Sequence, residues 1–462
     1  MNETPPTIAD GRPDLPRRVG VWGAAGVMVG IMIGSGIFRT PPAIAGHLDT
    51  PWIILALWAL GGVLSLLGAL TFAELACMRP HSGGVYVFLR EGYGRGLAFV
   101  FGWTYMLVSK PLAAAAIVVV FSEHAFRLAG IDYDPSQPDW RGKALTIGVL
   151  TLLTWINVRG VSVSARVATG LTAIKFGALA MIVVLALVLR KGDAANFDSP
   201  AAARSLWAAI IPVMAAIMWT YDGWSDVGAI AGEVKNPQRT LPRAYVLGTL
   251  GVTLLYLAVN AVYIWLVPLG EMRGMATVAP AVMEALVGPA GATIVTALVV
   301  VSTLGSSHGS VMTGGRVSFA QARDGLLFAP LAKVHPRYQT PAVSLWVQLA
   351  LSTAAVLLVG TFEKLAGGFV FSIWIFYGLA AAAVFILRVK RPDEARPFRC
   401  PGYPVVPAVF VLAAGAMTVL SVLDDPATTG VWIAILAAGF PVYLVWRKVT
   451  TLGSARDGAV AA

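Results

Sequence analysis

The sequence predicts an all-α polytopic membrane protein with about twelve transmembrane helices, arranged as two inverted five-helix repeats in which helices 1 and 6 are broken. Three observations predict this fold: the composition, the apolar segments long enough to cross a bilayer, and the interruptions in two of those segments. Of the 462 residues, 57% are hydrophobic and 13% are charged, whereas soluble proteins carry roughly 25% charged residues. The composition excludes a soluble enzyme and a disordered protein, and two cysteines are too few for a disulfide scaffold.

Apolar segments of about 20 residues recur along the chain, and each is long enough as a helix to span ~30 Å of hydrocarbon. We number them spans 1 to 12 in chain order: 20–46, 51–77, 96–122, 143–159, 165–189, 207–232, 244–267, 290–313, 341–360, 366–387, 402–423 and 429–446. The predicted organisation is an N-terminal tail (1–19), a first repeat of spans 1 to 5 (20–189), a second repeat of spans 6 to 10 (207–388), spans 11 and 12 (402–446) and a C-terminal tail (447–462).

Lysine and arginine residues are unevenly distributed between the two sides of the predicted spans. If the N-terminus is cytoplasmic, 23 of the 34 lie on the cytoplasmic side and 8 lie outside, while Arg39, Lys110 and Lys175 fall within spans. Cytoplasmic loops of membrane proteins carry the excess of basic residues, so both tails are predicted to be cytoplasmic in a multi-pass protein of the inner (cytoplasmic) cell membrane. The net charge of +10 is then a topology feature and indicates no nucleic-acid partner.

Two spans contain residues that weaken a helix at mid-membrane. Span 1 contains Gly-Ser-Gly-Ile-Phe at 34–38, and span 6 contains Trp-Thr-Tyr-Asp-Gly-Trp at 219–224. Taken singly, the first fits small-residue helix packing and the second fits a buried, hydrogen-bonded aspartate. Together they begin two successive five-span units, which an odd number of spans forces into opposite orientations. Paired interruptions of this kind indicate a transporter site between inverted repeats, as in leucine-transporter-like proteins.

The two predicted breaks supply main-chain groups that suit an α-amino acid. Freed N–H groups from Ser35 to Ile37, at the start of a half-helix, favour a carboxylate. Freed carbonyl groups at the ends of the preceding halves favour an ammonium group. The predicted substrate-binding residues are Met32, Ile33, Gly34, Ser35, Gly36, Ile37, Trp219, Thr220 and Asp222.

At these residues the sequence resembles the amino acid–polyamine–organocation superfamily, in its L-type amino acid transporter branch. The run at 34–38 looks like that family's substrate motif, and the run at 219–224 is similar to bacterial serine/threonine exchangers. Two further runs, 233–239 and 314–341, look like the family's cytoplasmic signatures. The match extends from about Val21 to the end of span 10, whereas spans 11 and 12 match only in hydropathy.

The resemblance implies a role for each matching position. Ser35, Gly36 and Ile37 would hold the substrate carboxylate, and the carbonyl groups of Met32, Trp219 and Asp222 would accept from the ammonium group. Trp219 would gate the site, and as a tryptophan where mammalian members usually have phenylalanine it shrinks the expected pocket.

Lys175 lies about ten residues into span 5, too far from either end to reach the membrane surface, and therefore must face a polar interior. In the resembling family, a lysine in this helix occupies the ion site of sodium-coupled relatives. Its ammonium would bridge the span 1 break and span 8, where Ser306, Ser307 and Ser310 supply oxygens. This implies sodium-independent transport, and proton coupling through Lys175 is the alternative.

Other polar residues within spans leave more than one interpretation open. Lys110 is either structural or the partner of an aspartate, and Asp222 and Asp226 lie four residues apart on one face if the helix resumes between them. Direct binding of a cationic substrate by Asp222 is an alternative. His308 is either structural or a proton relay, and Arg39 is expected to line the outer vestibule.

The remaining sequence features narrow the function. The expected side-chain pocket contains small residues at 113–115 and the aromatic residues Phe371, Trp374 and Phe376. None of these side chains could pair with a charged substrate side chain, which favours neutral amino acids. The sequence has no metal-ligand spacing, phosphate loop or catalytic motif, so no cofactor, no metal and no enzyme activity are expected. Cys77 and Cys400 fall at the predicted cytoplasmic side, so we expect no disulfide-linked partner subunit of the kind that mammalian relatives bind.

The predicted function is sodium-independent transport of neutral L-amino acids across the cytoplasmic membrane by alternating access, as an exchanger. A proton-coupled symporter is the alternative within the same class. A channel or a transporter-like sensor is the alternative from another class.

Overall fold

A computed structural model describes residues 15–133, 139–198, 206–359 and 362–460, which fold almost entirely as helices. Within these ranges no strand forms, and an isolated β-bridge joins Val19 to Val234. Nine of the described helices are long and apolar enough to cross a membrane. The chain is therefore an all-α, multi-pass membrane protein, as the composition predicts.

Spans 1 to 5 appear as helices near their predicted positions. Span 1 consists of two helices, Val21–Met32 and Gly36–His47. The continuous helices are Pro51–Met78 for span 2, Trp140–Val158 for span 4 and Val161–Leu189 for span 5. Span 3 runs through Arg95–Thr104, the π-helical turn Tyr105–Ser109 and Lys110–Leu128, and the connecting helix Val85–Tyr93 precedes it.

Spans 6 to 12 follow in the same manner, and span 6 is interrupted. It consists of the α-helix Leu206–Tyr221 and the 3₁₀ helix Trp224–Glu233. The later spans are Pro237–Leu266, Pro289–Arg323, Ala342–Leu358, Phe362–Lys390, Val405–Asp424 and Pro426–Val460. Two short helices, Leu269–Met272 and Ala279–Val287, connect spans 7 and 8. Short 3₁₀ segments occur at Ala194–Phe197 and Ala329–Ala332.

Among the described helices, fewer meet the criterion for a membrane span than the twelve that the sequence predicts. The helices of spans 4, 6 and 9 are not among the nine that meet the length and apolarity criterion, and Ala342–Leu358 is a shorter apolar helix. The total of twelve therefore stays a prediction.

Equivalent spans of the two predicted repeats pack against each other. Span 2 packs on span 7, span 3 on span 8 and span 4 on span 9. The first half of span 1 contacts the second half of span 6, and the second half of span 1 contacts the first half of span 6. Two units in opposite orientations would pack in this way, and the boundaries of the repeats at 20–189 and 207–388 stay a prediction.

The two breaks lie directly against each other at the centre of the bundle. Gly223 has φ of +115°, and a Cβ there would lie 2.8 Å from the Met32 amide nitrogen. A Cβ on Gly36 would lie 2.9 Å from the Cα of Thr220. Only glycine meets both the left-handed backbone and the close approach at position 223, which is why the sequence interrupts span 6 there.

One face of the bundle is closed around the beginning of span 1. The Val19 amide donates to the Glu233 carbonyl (2.9 Å), and the Lys235 amide donates to the Val19 carbonyl (2.8 Å). Next to this bridge, the fully buried Arg316 Nε donates to Glu233 Oε1 at 2.8 Å. We call this the N-terminal face, and the opposite side, which carries Arg39, the far face.

Candidate functional site

A small cavity of about 30 Å³ lies where the two breaks meet, which leaves room for about two water molecules. Its lining includes seven of the nine predicted substrate-binding residues: Met32, Gly34, Ser35, Gly36, Trp219, Thr220 and Asp222. Lys110, Ala113, Ile117, Ser310 and Phe369 also line it, together with Ile31. The structure therefore brings most of the predicted set together around a space that must widen to admit an amino acid.

Two of the predicted residues lie elsewhere. The Ile33 carbonyl accepts hydrogen bonds from Lys175 and from serines of span 8, so it points away from the cavity. Ile37 is fully buried in the hydrophobic core, and its side chain does not line the cavity. Any role of Ile37 in binding would fall to its main-chain N–H group.

The donor side of the cavity is the beginning of the second half of span 1. The first hydrogen bonds of that helix run from the Phe38 and Arg39 amides to the Ser35 carbonyl. The N–H groups of Ser35, Gly36 and Ile37 precede those bonds, as the first N–H groups of any helix do. A helix beginning of this kind favours an anion.

The acceptor side is formed by carbonyl groups at the ends of the two preceding half-helices. The Tyr256 hydroxyl in span 7 lies 2.6 Å from the Met32 carbonyl and 3.3 Å from the Thr220 carbonyl. Tyr256 thus connects both breaks. The sequence analysis missed this residue, because a buried tyrosine within an apolar span carries no local pattern that indicates its partner.

Lys175 is fully buried and makes four close contacts through its Nζ atom. The Nζ atom lies within hydrogen-bonding distance of four oxygen atoms, the carbonyl oxygens of Gly30 (2.5 Å), Ile33 (2.7 Å) and Ser302 (3.0 Å) and Ser306 Oγ (2.8 Å), which its three N–H groups share. Spans 1, 5 and 8 are therefore joined at the break in span 1, which is the location predicted for this lysine.

The three serines predicted to accompany Lys175 occupy different surroundings. Ser306 Oγ also lies 2.7 Å from the Gly30 carbonyl. Ser307 Oγ and Ser310 Oγ are buried without a hydrogen-bond partner among the described atoms, and Ser310 lines the cavity. The hydroxyl that joins Ser306 at the break belongs to Ser302, whose Oγ donates to the Ile33 carbonyl at 3.0 Å. Its spacing of four residues from Ser306 could have indicated it.

The two aspartates of span 6 take different partners. Lys110 Nζ lies 2.7 Å from Asp226 Oδ1, and both side chains are only 4% exposed. Asp222 lines the cavity and accepts a 2.8 Å hydrogen bond from the Tyr377 hydroxyl. The expected shared face does not form, because the chain resumes after Gly223 as a 3₁₀ helix with about three residues per turn.

His308 joins three spans near the N-terminal face. Its Nε2 lies 3.0 Å from the Ser164 carbonyl, and its Nδ1 lies 3.1 Å from Asn157 Nδ2. The carbonyl can only accept and the amide nitrogen can only donate, so the ring is the neutral tautomer with its proton on Nε2. Both ring nitrogens are therefore engaged in contacts between helices, and the role of His308 stays a prediction.

Trp219 separates the central cavity from a larger one on the far face. The larger cavity measures about 350 Å³, and Trp219 lines both. Its ring packs edge-to-face on Phe362 (5.6 Å, 87°) and Phe369 (5.5 Å, 85°). Arg39 lines the larger cavity, pairs with Glu123 at 2.6 Å and lies over the Phe362 ring.

Comparison with known proteins gives consistent matches over nearly the whole chain. The family model described as amino acid permease matches residues 19–449. The serine/threonine exchanger SteT of Bacillus subtilis (strain 168) is 34% identical over 447 residues, which cover 94% of this chain and 98% of that protein. The human cystine/glutamate transporter is 31% identical over 97% of this chain and 89% of its own length. The mouse b(0,+)-type amino acid transporter 1 is 30% identical over 89% of this chain and 84% of its own.

Proposed function

The chain belongs to the amino acid permease family, and from that premise we propose that it exchanges neutral L-amino acids across the cytoplasmic membrane by alternating access, without sodium coupling. The observation that carries the proposal is the cavity at which both broken spans present main-chain groups. We propose no catalytic activity and no cofactor for it.

The two breaks suit the two charged ends of an amino acid. In the proposed complex, the N–H groups of Ser35, Gly36 and Ile37 bind the carboxylate, because a helix beginning attracts an anion. The carbonyl groups of Met32 and Trp219 then accept from the ammonium group. The Met32 carbonyl already accepts from the Gly34 amide (2.8 Å) and from the Tyr256 hydroxyl (2.6 Å). A carbonyl oxygen has two lone pairs, so in the proposed complex the ammonium group replaces one of these two donors.

Lys175 supports the proposal that no sodium ion takes part. Its ammonium group is held by four oxygen atoms beside the span 1 break. Oxygen atoms at such distances could otherwise coordinate a monovalent cation, and the lysine supplies that positive charge as part of the chain. The name of the Bacillus subtilis relative also describes an exchanger.

A neutral substrate is favoured by how the charges around the cavity are paired. Lys110 is neutralised by Asp226, and among the described residues that line the cavity no other cation is present for an acidic side chain. Asp222 is the exception, because its carboxylate lines the cavity, where it accepts from the Tyr377 hydroxyl and has no cationic ion-pair partner among the described residues. A cationic amino acid bound by Asp222 is therefore the second candidate substrate.

Alternating access requires one closure on each side of the cavity. We assign the far-face closure to Trp219, which stands between the cavity and the larger far-face cavity. On the N-terminal face, the bridge from Val19 to Glu233 and the Arg316–Glu233 pair must separate. Opening there would move the first half of span 1 away from Lys175.

The orientation and the absence of a linked subunit belong to the same proposal. We propose that both tails are cytoplasmic, so that the N-terminal face is the cytoplasmic one. Cys77 and Cys400 are free and buried, which supports the expectation that no partner subunit is linked through a disulfide. A cysteine introduced on the far face or in one of the tails, labelled with a reagent that does not cross the membrane, would test the orientation.

Purified protein in proteoliposomes tests the function. We expect uptake of labelled L-serine only when the vesicles contain an internal neutral amino acid, and an equal rate when choline replaces sodium. Vesicles without internal substrate but with an imposed pH gradient are the control. Uptake driven by the gradient alone would support proton symport and contradict exchange.

Two further measurements separate the remaining alternatives. A channel would give a flux that does not saturate with substrate, and a sensor would bind ligand without accumulating it. Competition by all twenty amino acids would identify the substrate, and strong competition by lysine or arginine would favour the role of Asp222 over the neutral-substrate proposal.

A further inference from the structure

A groove of about 410 Å³ opens at the N-terminal face, between the beginnings of spans 1 and 5. From span 1 and its preceding residues it is lined by Arg18, Gly20 and Trp22, and from span 5 by Arg166 and Gly170. The groove is more than ten times larger than the cavity at the breaks, and no part of the proposed transport site uses it.

The charges at this groove are of one sign. Arg18 and Arg166 are both exposed, and neither contacts an acidic side chain in the described ranges. The hydrogen bond of the Arg166 guanidinium runs to the Ser162 carbonyl at 3.2 Å, within its own helix. The remaining lining residues are mostly small, and Trp22 is 80% exposed, as tryptophan is at the level of lipid headgroups.

We propose that this groove binds an anionic phospholipid, with the phosphate between Arg18 and Arg166 and an acyl chain along the small residues of spans 1 and 5. Basic pockets between transmembrane helices at the cytoplasmic side suit such headgroups. Arginine is the side chain whose planar donors match phosphate oxygens. The small lining residues leave an apolar channel that a chain of methylene groups fills.

The groove is built from parts that the transport cycle would move. Deeper in the membrane, spans 1 and 5 are joined where Thr172 Oγ1 donates to the Gly26 carbonyl at 2.7 Å. Arg18 directly precedes Val19, whose bridge to Glu233 closes the N-terminal face. Movement of the first half of span 1 away from span 5 would separate the two arginines, so the lipid binds more tightly to the closed form and favours it.

The binding test does not require transport, so a failure of this proposal is distinguishable from a failure of the proposed function. Only the effect of the lipid on opening rests on the proposed function. The protein is reconstituted in phosphatidylcholine that contains brominated phosphatidylglycerol. Quenching of Trp22 fluorescence is obtained by subtracting the quenching measured in Trp22→Phe from that measured in the wild type. We expect enrichment of the brominated lipid at Trp22. In the double variant Arg18→Gln/Arg166→Gln, the apparent affinity should fall by about 25-fold, since each arginine near an anionic surface contributes about fivefold.

Two variants separate a built site from general attraction to a negative surface. Arg239→Gln/Arg243→Gln removes the same charge from exposed residues at the beginning of span 7 and should leave the quenching unchanged. Gly170→Leu fills the groove without changing charge, because a Cβ there meets nothing within 4 Å, and should abolish the enrichment. Equal losses in both double variants, or equal quenching by brominated phosphatidylcholine, would overturn the proposal.

Discussion

Two lysines buried in the same helix bundle hold their charge in opposite ways. Lys175 Nζ lies within hydrogen-bonding distance of three carbonyl groups and one serine hydroxyl. Lys110 faces a carboxylate, that of Asp226, at 2.7 Å. Lys175 is fully buried at the break in span 1, whereas Lys110 lines the substrate cavity.

The two lysines differ in the charge of their partners: Lys175 is surrounded by neutral groups, whereas the partner of Lys110 is a carboxylate. The carbonyl groups around Lys175 carry no net charge, so an ammonium group held there keeps its positive charge beside the broken span. Asp226 neutralises Lys110, so the cavity wall presents no net charge from that pair. We infer that Lys175 serves the conformational cycle and that the Lys110–Asp226 pair sets which substrates fit. The following substitutions break or sharpen this contrast.

Removing the carboxylate of the Lys110–Asp226 pair has the largest expected effect. Asp226→Asn removes the ion-pair partner of the buried Lys110 and should lower the free energy of unfolding by about 3–5 kcal/mol. Thermal unfolding in detergent measures it. The double variant Lys110→Met/Asp226→Leu should recover most of the loss, because replacing both charges avoids an unpaired one. A double variant as unstable as the single would contradict the pairing.

Removing the amino group of Lys175 is expected to affect turnover more than folding. Lys175→Met leaves the acceptors at the break without their cationic donor, and exchange should fall by about 100-fold, as loss of a charged hydrogen bond predicts. Proteoliposome exchange measures this, and thermal unfolding should change less than in Asp226→Asn. The control is Lys191→Met, two residues beyond the end of the same helix, where the Lys191 side chain donates to the Leu286 carbonyl. Equal activity in both variants would refute the assignment.

Two serines of span 8 test whether the surroundings of Lys175 are as specific as the geometry indicates. Ser302 Oγ donates to the Ile33 carbonyl, whereas Ser307 Oγ is buried and has no hydrogen-bond partner among the residues that the structure describes. Ser302→Ala should destabilise the conformations in which the Ile33 carbonyl accepts this bond by about 1 kcal/mol, and should slow exchange by about fivefold. Ser307→Ala should leave exchange close to wild type. The reverse order would show that the two serines are assigned wrongly.

A surface cluster gives the smallest expected effect. Burial alone would raise the pKa of Glu91, but hydrogen bonds from Arg79, Arg391 and Arg90 outweigh it and hold that pKa below its ordinary value of 4.5. The charged carboxylate therefore stabilises the fold above pH 4.5, and this contribution is lost as the pH falls through the lowered pKa.

The Glu91→Gln variant measures that contribution. It should lower the free energy of unfolding at neutral pH by about 0.5–1 kcal/mol, and the difference from wild type should disappear in acid. Glu271→Gln, at an exposed glutamate, serves as the control for the removal of one surface carboxylate. A difference that persists in acid would mean that packing, not charge, explains the variant.

The sequence predicts the parts of this site that depend on local helix chemistry. The glycines at 34, 36 and 223 weaken their helices wherever the rest of the chain lies, and a lysine in mid-span must find oxygen atoms. For the same reason, the fold class and the position of both breaks follow from composition and spacing. The structure places both breaks where the sequence analysis expects them.

The contacts between distant spans could not be predicted in this way. The partners Ser302, Tyr256 and Tyr377 depend on how helices far apart in sequence rotate against each other. The choice between Asp222 and Asp226 for Lys110 depends on the 3₁₀ geometry after Gly223, which no pattern in span 6 indicates. Ile33 shows the same limit, because its carbonyl is free of its helix but is taken by Lys175.

The central claim is that main-chain groups of spans 1 and 6 bind both ends of one amino acid. Competition against labelled L-serine exchange tests it with two analogues: ethanolamine lacks the carboxylate, and 3-hydroxypropionate lacks the ammonium group. We predict that neither analogue competes, whereas unlabelled L-serine competes fully. Competition by either analogue as strong as that of L-serine would contradict the account, because one of the two broken spans would then contribute nothing to binding.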